Sequence, residues 1–350
     1  MPTDAVTADA AIAHAVGADA TGADDGMVHV PAFDLPLSIY MSDPAKQAFR
    51  QRASRLPAVG PGLAIGEYRA AMDRHFYAPR LARALERFPA IIRSEIIAGV
   101  RVDRVAPASG VAPENRHRVL LNLHGGGFHV GAGLGAQLES VPIAVESGIE
   151  VIAVDYRQGP EHAFPAASED VAAVYHTLLE RYRGREIGIY GTSAGGVLTA
   201  MTVAWLDRHN IPKPGAIALL SAPADNIWGG DSAFAVPPLS GHPAPPPEPN
   251  PPATGMDYVR PADLYDPLVS PAFAPKLLSR FPPALIITGT RAGELSAAVH
   301  SHTRLVAAGA AAYLHVWDGM WHGFLDDIDL PEAAEARAVI ARFWKRHLRG

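Results

Sequence analysis

The stretch Ile187-Gly188-Ile189-Tyr190-Gly191-Thr192-Ser193-Ala194-Gly195-Gly196 runs from an apolar, strand-like segment directly into a helical pattern. It carries the arrangement G-x-S-x-G. A serine on so sharp a strand-to-helix turn sits in strained backbone, and its neighbours two residues either side must lack side chains for the backbones to approach. Gly191 and Gly195 meet that need. The turn lifts the Ser193 hydroxyl above a sheet edge, and the amide of Ala194, at the start of the helix, can donate to a developing oxyanion. The same letters also arise by chance as a glycine-rich turn with an incidental serine; the strand before and the helix after favour a nucleophile.

Outward from this turn, short apolar runs alternate with amphipathic stretches. Strands are expected at Ile96–Val105, Arg118–Leu123, Val151–Asp155, Ile187–Tyr190, Ala216–Leu220, Ala284–Thr288 and Tyr313–Val316. Helices are expected at Ala167–Tyr182, Ala194–Asn210, Ala297–Ala308 and Glu332–Leu348. In the second, Val197, Met201 and Trp205 stack at i, i+4 and i+8. The last opens with Pro331 and Glu332 and closes with Lys345 and Arg346, as the helix dipole prefers. This alternation implies an α/β fold: a mostly parallel sheet covered on both faces by helices. Two regions break the rhythm. Residues 32–93 read as helical (Pro44–Ser54, Ile65–Phe88). Residues 225–268 contain nine prolines between Pro237 and Pro252, a run expected to form neither helix nor central strand because proline lacks the amide donor. Both are candidate cap elements beside a site, the second read against the blander alternative of a surface insertion. The core is then 94–224 and 269–350, and 1–31 is expected to be a mobile tail of small residues.

The chain has 350 residues, 48% of them hydrophobic and 19% charged, which excludes a wholly disordered chain. At roughly 150 residues per domain this length fits two domains or one α/β core with insertions. A net charge of −6 offers no basic field for nucleic acid or an anionic membrane. The absence of cysteine excludes disulfides and thiolate chemistry and fits a reducing, cytoplasmic location. No apolar run reaches the ~20 residues of a membrane span. The first Lys or Arg is Lys46, so a secretory signal is not expected. His300 and His302 do not share a helix face, so no metal site is expected there.

Two further stretches carry chemistry. Leu121-Asn122-Leu123-His124-Gly125-Gly126-Gly127-Phe128 closes an earlier strand. Consecutive glycines expose backbone amides that can converge on one oxygen, forming an oxyanion hole without side chains. A phosphate loop would instead continue with Lys and Ser or Thr, where Phe128 and His129 stand. His124 is read as structural, bonding nearby backbone. Asp318-Gly319-Met320-Trp321-His322-Gly323-Phe324 follows the last expected strand, and a histidine on such a loop can reach the nucleophile and take its proton near neutral pH.

With Asp155-Tyr156-Arg157-Gln158-Gly159-Pro160-Glu161-His162, Phe164-Pro165-Ala166-Ala167 and Asp266-Pro267-Leu268 through Ser270-Pro271, these motifs resemble the hormone-sensitive-lipase-like branch of the α/β-hydrolase family, bacterial esterases with an HGGG loop. The resemblance covers roughly residues 95–350, and the helical start and the proline insertion match the family's cap in position. It implies Ser193 as nucleophile, His322 as general base and then acid, and an oxyanion hole drawn from Gly125, Gly126, Gly127 and Ala194. The family's acid is an Asp in the loop after Ala284–Thr288. Here that loop reads Gly289-Thr290-Arg291-Ala292-Gly293-Glu294, with alanine at the expected carboxylate. Three explanations compete: Glu294 serves instead, against its blander role as an exposed helix-start acid; the site lacks an acid and works slowly; or the chain is an engineered variant. Asp318, four residues before His322 on one loop, ranks below Glu294. Phe128, Trp228 and Trp321 are expected to line an apolar acyl or aryl pocket.

The expected function is a serine carboxylesterase acting on short-chain acyl or aryl esters, without cofactor or metal. Its expected partner is a small ester, with homodimerisation an analogy from related families. The alternatives are a non-catalytic or weakly catalytic ligand-binding protein on an esterase scaffold, and an amidase or lactonase using the same site.

Overall fold

The computed structural model describes residues 30, 34–55, 63–240, 245, 257–260 and 262–349. The expected tail, Val30 apart, and most of the proline-rich run lie outside the described residues. Two units are distinguished, Met1–Pro36 and Leu37–Gly350. The second contains everything below.

Eight strands form one sheet: β1 (Ala90–Ile97), β2 (Val100–Pro107), β3 (Val119–Leu123), β4 (Glu150–Val154), β5 (Ile187–Thr192), β6 (Ala216–Leu220), β7 (Ala284–Arg291) and β8 (Ala312–Trp321). Their order is β1-β2-β4-β3-β5-β6-β7-β8. The pairs β1/β2 and β2/β4 are antiparallel, and all others are parallel. The helices are α1 (Asp43–Arg55), α2 (Ile65–Met72), α3 (Ala78–Arg87), α4 (Leu134–Ser147), α5 (Ala166–Leu178), α6 (Ala194–Arg208), α7 (Asp231–Leu239), α8 (Pro275–Leu278), α9 (Leu295–Ala307) and α10 (Pro331–His347), with a π-helical turn at Asp73–Tyr77 between α2 and α3.

The side-chain period of two sorts the strands onto two cores. Val119, Leu121 and Leu123 of β3, Ile187 and Ile189 of β5, and Ile217 and Leu219 of β6 face the core shared with α5 and α6. Leu120, Tyr190, Ala216, Ala218 and Leu220 face the core shared with α4 and α10. Every residue of β3, β5 and β6 is buried, as parallel strands covered on both faces require. Met41 and Ala45 of the α1 region and Tyr77, Leu81 and Ala84 around α3 join the second core.

Three expectations are corrected. Ile96–Val105 is not one strand: Ala98 and Gly99, with φ of 51° and 82°, turn the chain back, and β1 and β2 pair as a hairpin. The strand region accordingly starts at Ala90, inside the stretch read as helical. The proline-bearing insertion does begin with a helix, α7. Its Pro237 and Pro238 fall in the last turn, and its start is held by reciprocal bonds between Ser232 and Ser296 across to α9. β8 is longer than expected and includes Asp318 through Trp321.

Candidate active site

The carboxyl ends of β3, β5, β7 and β8 converge, the position where open parallel sheets bind ligands. Ser193 follows β5 with φ of 56° and ψ of −124°, and its N–H donates to Leu220 O at 2.8 Å. The glycines around it are steric necessities: a Cβ at Gly191 would lie 2.3 Å from Leu123 O, and one at Gly195 would lie 1.7 Å from it. The serine is thus fixed by the close approach of β3, β5 and α6.

His322 follows β8, and its loop is pinned by the Gly323 N–H donating to Ser221 Oγ at 3.1 Å. Its Nε2 lies 2.9 Å from Ser193 Oγ, and its Nδ1 lies 2.9 Å from Glu294 Oε2. The carboxylate must accept at Nδ1–H, which leaves Nε2 to accept the serine proton. Burial opposes charging of the ring, but the attraction and hydrogen bond of Glu294 outweigh it and raise the His322 pKa. Glu294 is 1% exposed, unlike a solvated helix-start acid, and its Oε1 accepts the Thr288 hydroxyl at 3.0 Å. A register shift between Gly289 and Arg291 irregularly ends β7 just before the turn that carries it. Ala292 is fully buried, and Asp318 binds Thr290 and Ser38 instead.

The glycine loop faces the serine. Gly126 adopts φ of +110°, and a Cβ there would lie 2.2 Å from Val130 O. The amides of Gly126 and Gly127 have no acceptor among the described residues. The Ala194 amide opens α6 and has no partner one helical turn back. Gly125 is a correction: its N–H donates to Glu139 Oε1 at 2.8 Å, so it is already committed. His124 is buried, stacks on Tyr156 at 4.3 Å, and has its Nδ1 2.8 Å from Gly125 O. Burial holds its pKa down at about 4, so it is a neutral structural donor. Tyr156 donates to His124 O at 2.6 Å. Its motif neighbours also tie elements together: Arg157 pairs with Asp170 of α5, and Glu161 pairs with Arg69 of α2.

A cleft of about 750 Å³ opens over these groups, lined by Ser193, His322, Gly126 and Gly127, with Met72, Phe76 and Trp321 among its apolar walls. Phe128 is a second correction. It is 0% exposed and stacks on Tyr258 at 4.6 Å, because its positive φ turns the ring into the core. Trp228 lies 5.6 Å from the His322 ring, beside the site rather than on the cleft wall. Arg52, Glu139 and Asp326 also line the cleft and went unread in the sequence. None belongs to a motif, and α4, which carries Glu139, was hidden by its flanking glycines and internal Pro142. Among the described residues no cluster could hold a metal ion, and no helix is long and apolar enough to cross a membrane.

The sheet order, the strained serine after β5 and the facing histidine define an α/β-hydrolase. Residues 120–326 match the family model described as alpha/beta hydrolase fold, and the chain belongs to that family. It is similar to LipR of Mycobacterium tuberculosis, which carries the name of an acetyl-hydrolase, at 30% identity over 72% of this chain and 79% of that one. The crystal structure of esterase E25 superposes with a TM-score of 0.79 at 30% identity, covering 92% of this chain and 99% of the other. An esterase from the bacterial hormone-sensitive lipase family superposes with a TM-score of 0.72 at 26% identity, covering 88% and 99%.

Proposed function

We propose that this carboxylic ester hydrolase is a serine esterase that cleaves short-chain acyl or aryl esters through an acyl-enzyme. The reading rests on one observation: Ser193 Oγ, His322 and Glu294 form a continuous hydrogen-bonded line, with steps of 2.9 Å, that opens on the cleft. The esterase and acetyl-hydrolase names of its relatives support ester hydrolysis and a small acyl group.

Ser193 Oγ bonds to the acyl carbon while its proton passes to His322 Nε2. The carbonyl electrons move onto oxygen, and that oxyanion takes hydrogen bonds from the Gly126, Gly127 and Ala194 amides. The tetrahedral adduct collapses, the C–O bond to the alcohol breaks, and Nε2–H protonates the leaving oxygen. Water then gives its proton to Nε2 as its oxygen adds to the acyl carbon. The second adduct expels Ser193 Oγ, which recovers the proton. Glu294 keeps Nδ1 protonated and stabilises the imidazolium in both halves. The apolar walls receive the acyl or aryl group.

The test is hydrolysis of p-nitrophenyl butyrate by wild type and Ser193→Ala. Turnover in wild type and its loss in the variant are expected. Tight binding of the ester without turnover in wild type would establish the ligand-binding scaffold instead.

A further inference from the structure

Glu139 is a cleft carboxyl that the mechanism above leaves unused. It projects from α4, and its Oε1 accepts the Gly125 N–H at 2.8 Å while its Oε2 meets Asn122 Nδ2 at 3.0 Å. Both partners belong to the segment that becomes the glycine loop. The contact with Gly125 is intimate, since a Cβ on that glycine would sit 3.3 Å from both Glu139 Oε1 and Ser193 Cβ. No lysine or arginine pairs with Glu139 among the described residues. The titratable groups that face it are Asp326, after His322, and the phenols of Tyr77, Tyr156 and Tyr190, which burial keeps neutral; the Thr192 hydroxyl also bonds Glu139 and, like Gly125 and Asn122, pulls its pKa down. Glu139 and Asp326 share both the cleft and a small cavity of about 20 Å³ behind it. Arg337 also lines that cavity; its Nε is bonded to Glu146 at 3.1 Å, its guanidinium lies over the Phe88 ring at 5.2 Å, and its Nη atoms bond neither carboxyl among the described residues; Arg80 faces Asp326.

We propose that Glu139 is a positioning residue that holds the glycine loop in its oxyanion-receiving shape, and that it performs this in its protonated form. The inference rests on the reading of that loop given above. A carboxylate beside the loop would oppose the oxyanion electrostatically, and a second carboxylate across the cavity makes two charges there costly. The Asn122 amide fits either state: a half-turn presents its Oδ1, which has no partner, to a protonated Oε2. Burial first, and then Asp326, push the Glu139 pKa up to about 8.

The test is kcat and KM for ethyl butyrate by pH-stat from about pH 5 to pH 10, on wild type, Glu139→Gln, Glu139→Leu and Asp326→Asn. Wild-type kcat is expected to fall above about pH 8. Glu139→Gln, a permanently neutral acceptor, keeps most of the turnover and loses that fall. Asp326→Asn removes a negative neighbour, lets Glu139 ionise earlier and moves the fall to lower pH. Glu139→Leu loses about 10²-fold in kcat with little change in KM, the scale of a 1 Å misplacement. If the leucine variant does not fold, the other two still decide. An alkaline limb unchanged in Glu139→Gln, or unmoved in Asp326→Asn, would overturn the inference. Retained turnover in Ser193→Ala, measured alongside, would strike the serine mechanism itself, so the two failures are separable.

Discussion

Replacing Glu294 by Gln removes one charge and one acceptor while keeping shape. The buried carboxylate serves two donors, the Thr288 hydroxyl through Oε1 and His322 Nδ1–H through Oε2. An amide has one oxygen for the two. If its nitrogen faces Nδ1, the imidazole is driven to the tautomer that carries hydrogen on Nε2, and the ring can no longer accept from Ser193. If its oxygen faces Nδ1, the geometry survives but the imidazolium loses its counter-charge. In triad enzymes loss of the acid costs roughly 10⁴-fold in turnover, or about 5 kcal/mol of transition-state stabilisation. The pH profile supplies a second reading. Burial depresses the His322 pKa and Glu294 more than restores it, so the variant's histidine pKa falls. The base is active when neutral, so the acid limb of kcat/KM moves to lower pH while the plateau drops. Steady-state kinetics on p-nitrophenyl butyrate across the acid range measure both. A variant with wild-type plateau and an unmoved acid limb would remove Glu294 from the mechanism.

Arg52 reaches the cleft from α1 over the Trp321 ring, 5.5 Å from its centroid, and its charge lowers the His322 pKa. Arg52→Met should therefore shift the acid limb of kcat/KM upward, opposite to Glu294→Gln; a downward shift would show that the guanidinium does not act on that ring. Gly195→Ala places a Cβ against Leu123 O and should cost about 3 kcal/mol or more, seen as a lowered melting temperature together with lost activity. Unchanged melting would contradict the close approach of β3 and α6.

The parts of the molecule legible in the sequence are those where sterics leave few choices. Gly191 and Gly195 advertise the turn because no other residue fits against Leu123 O, and the central strands show as unbroken apolar runs because both faces are covered. Ala98-Gly99 was illegible because alternation of apolar residues continues through it and the pair lacks the usual Asn-Gly or Asp-Gly signal. Helix α7 survives two prolines through tertiary bonds to α9, which no local pattern reveals. The environment of Glu294 has the same character: its burial and its second partner, Thr288, depend on how β7 ends. Phe128 reads as a pocket wall from its place beside the glycines, yet a single positive φ sends it the other way.

The cleft divides its labour along the chain. The groups proposed to react come from the ends of β3, β5 and β8, with Glu294 after β7 behind them, whereas much of the apolar lining (Ala48, Tyr68, Met72, Phe76) comes from helices that precede the sheet. Those early helices can be recut to admit larger or more branched guests without disturbing a single member of the relay. If the proposed relay is right, a library confined to the four lining positions is expected to vary selectivity while leaving reactivity alone.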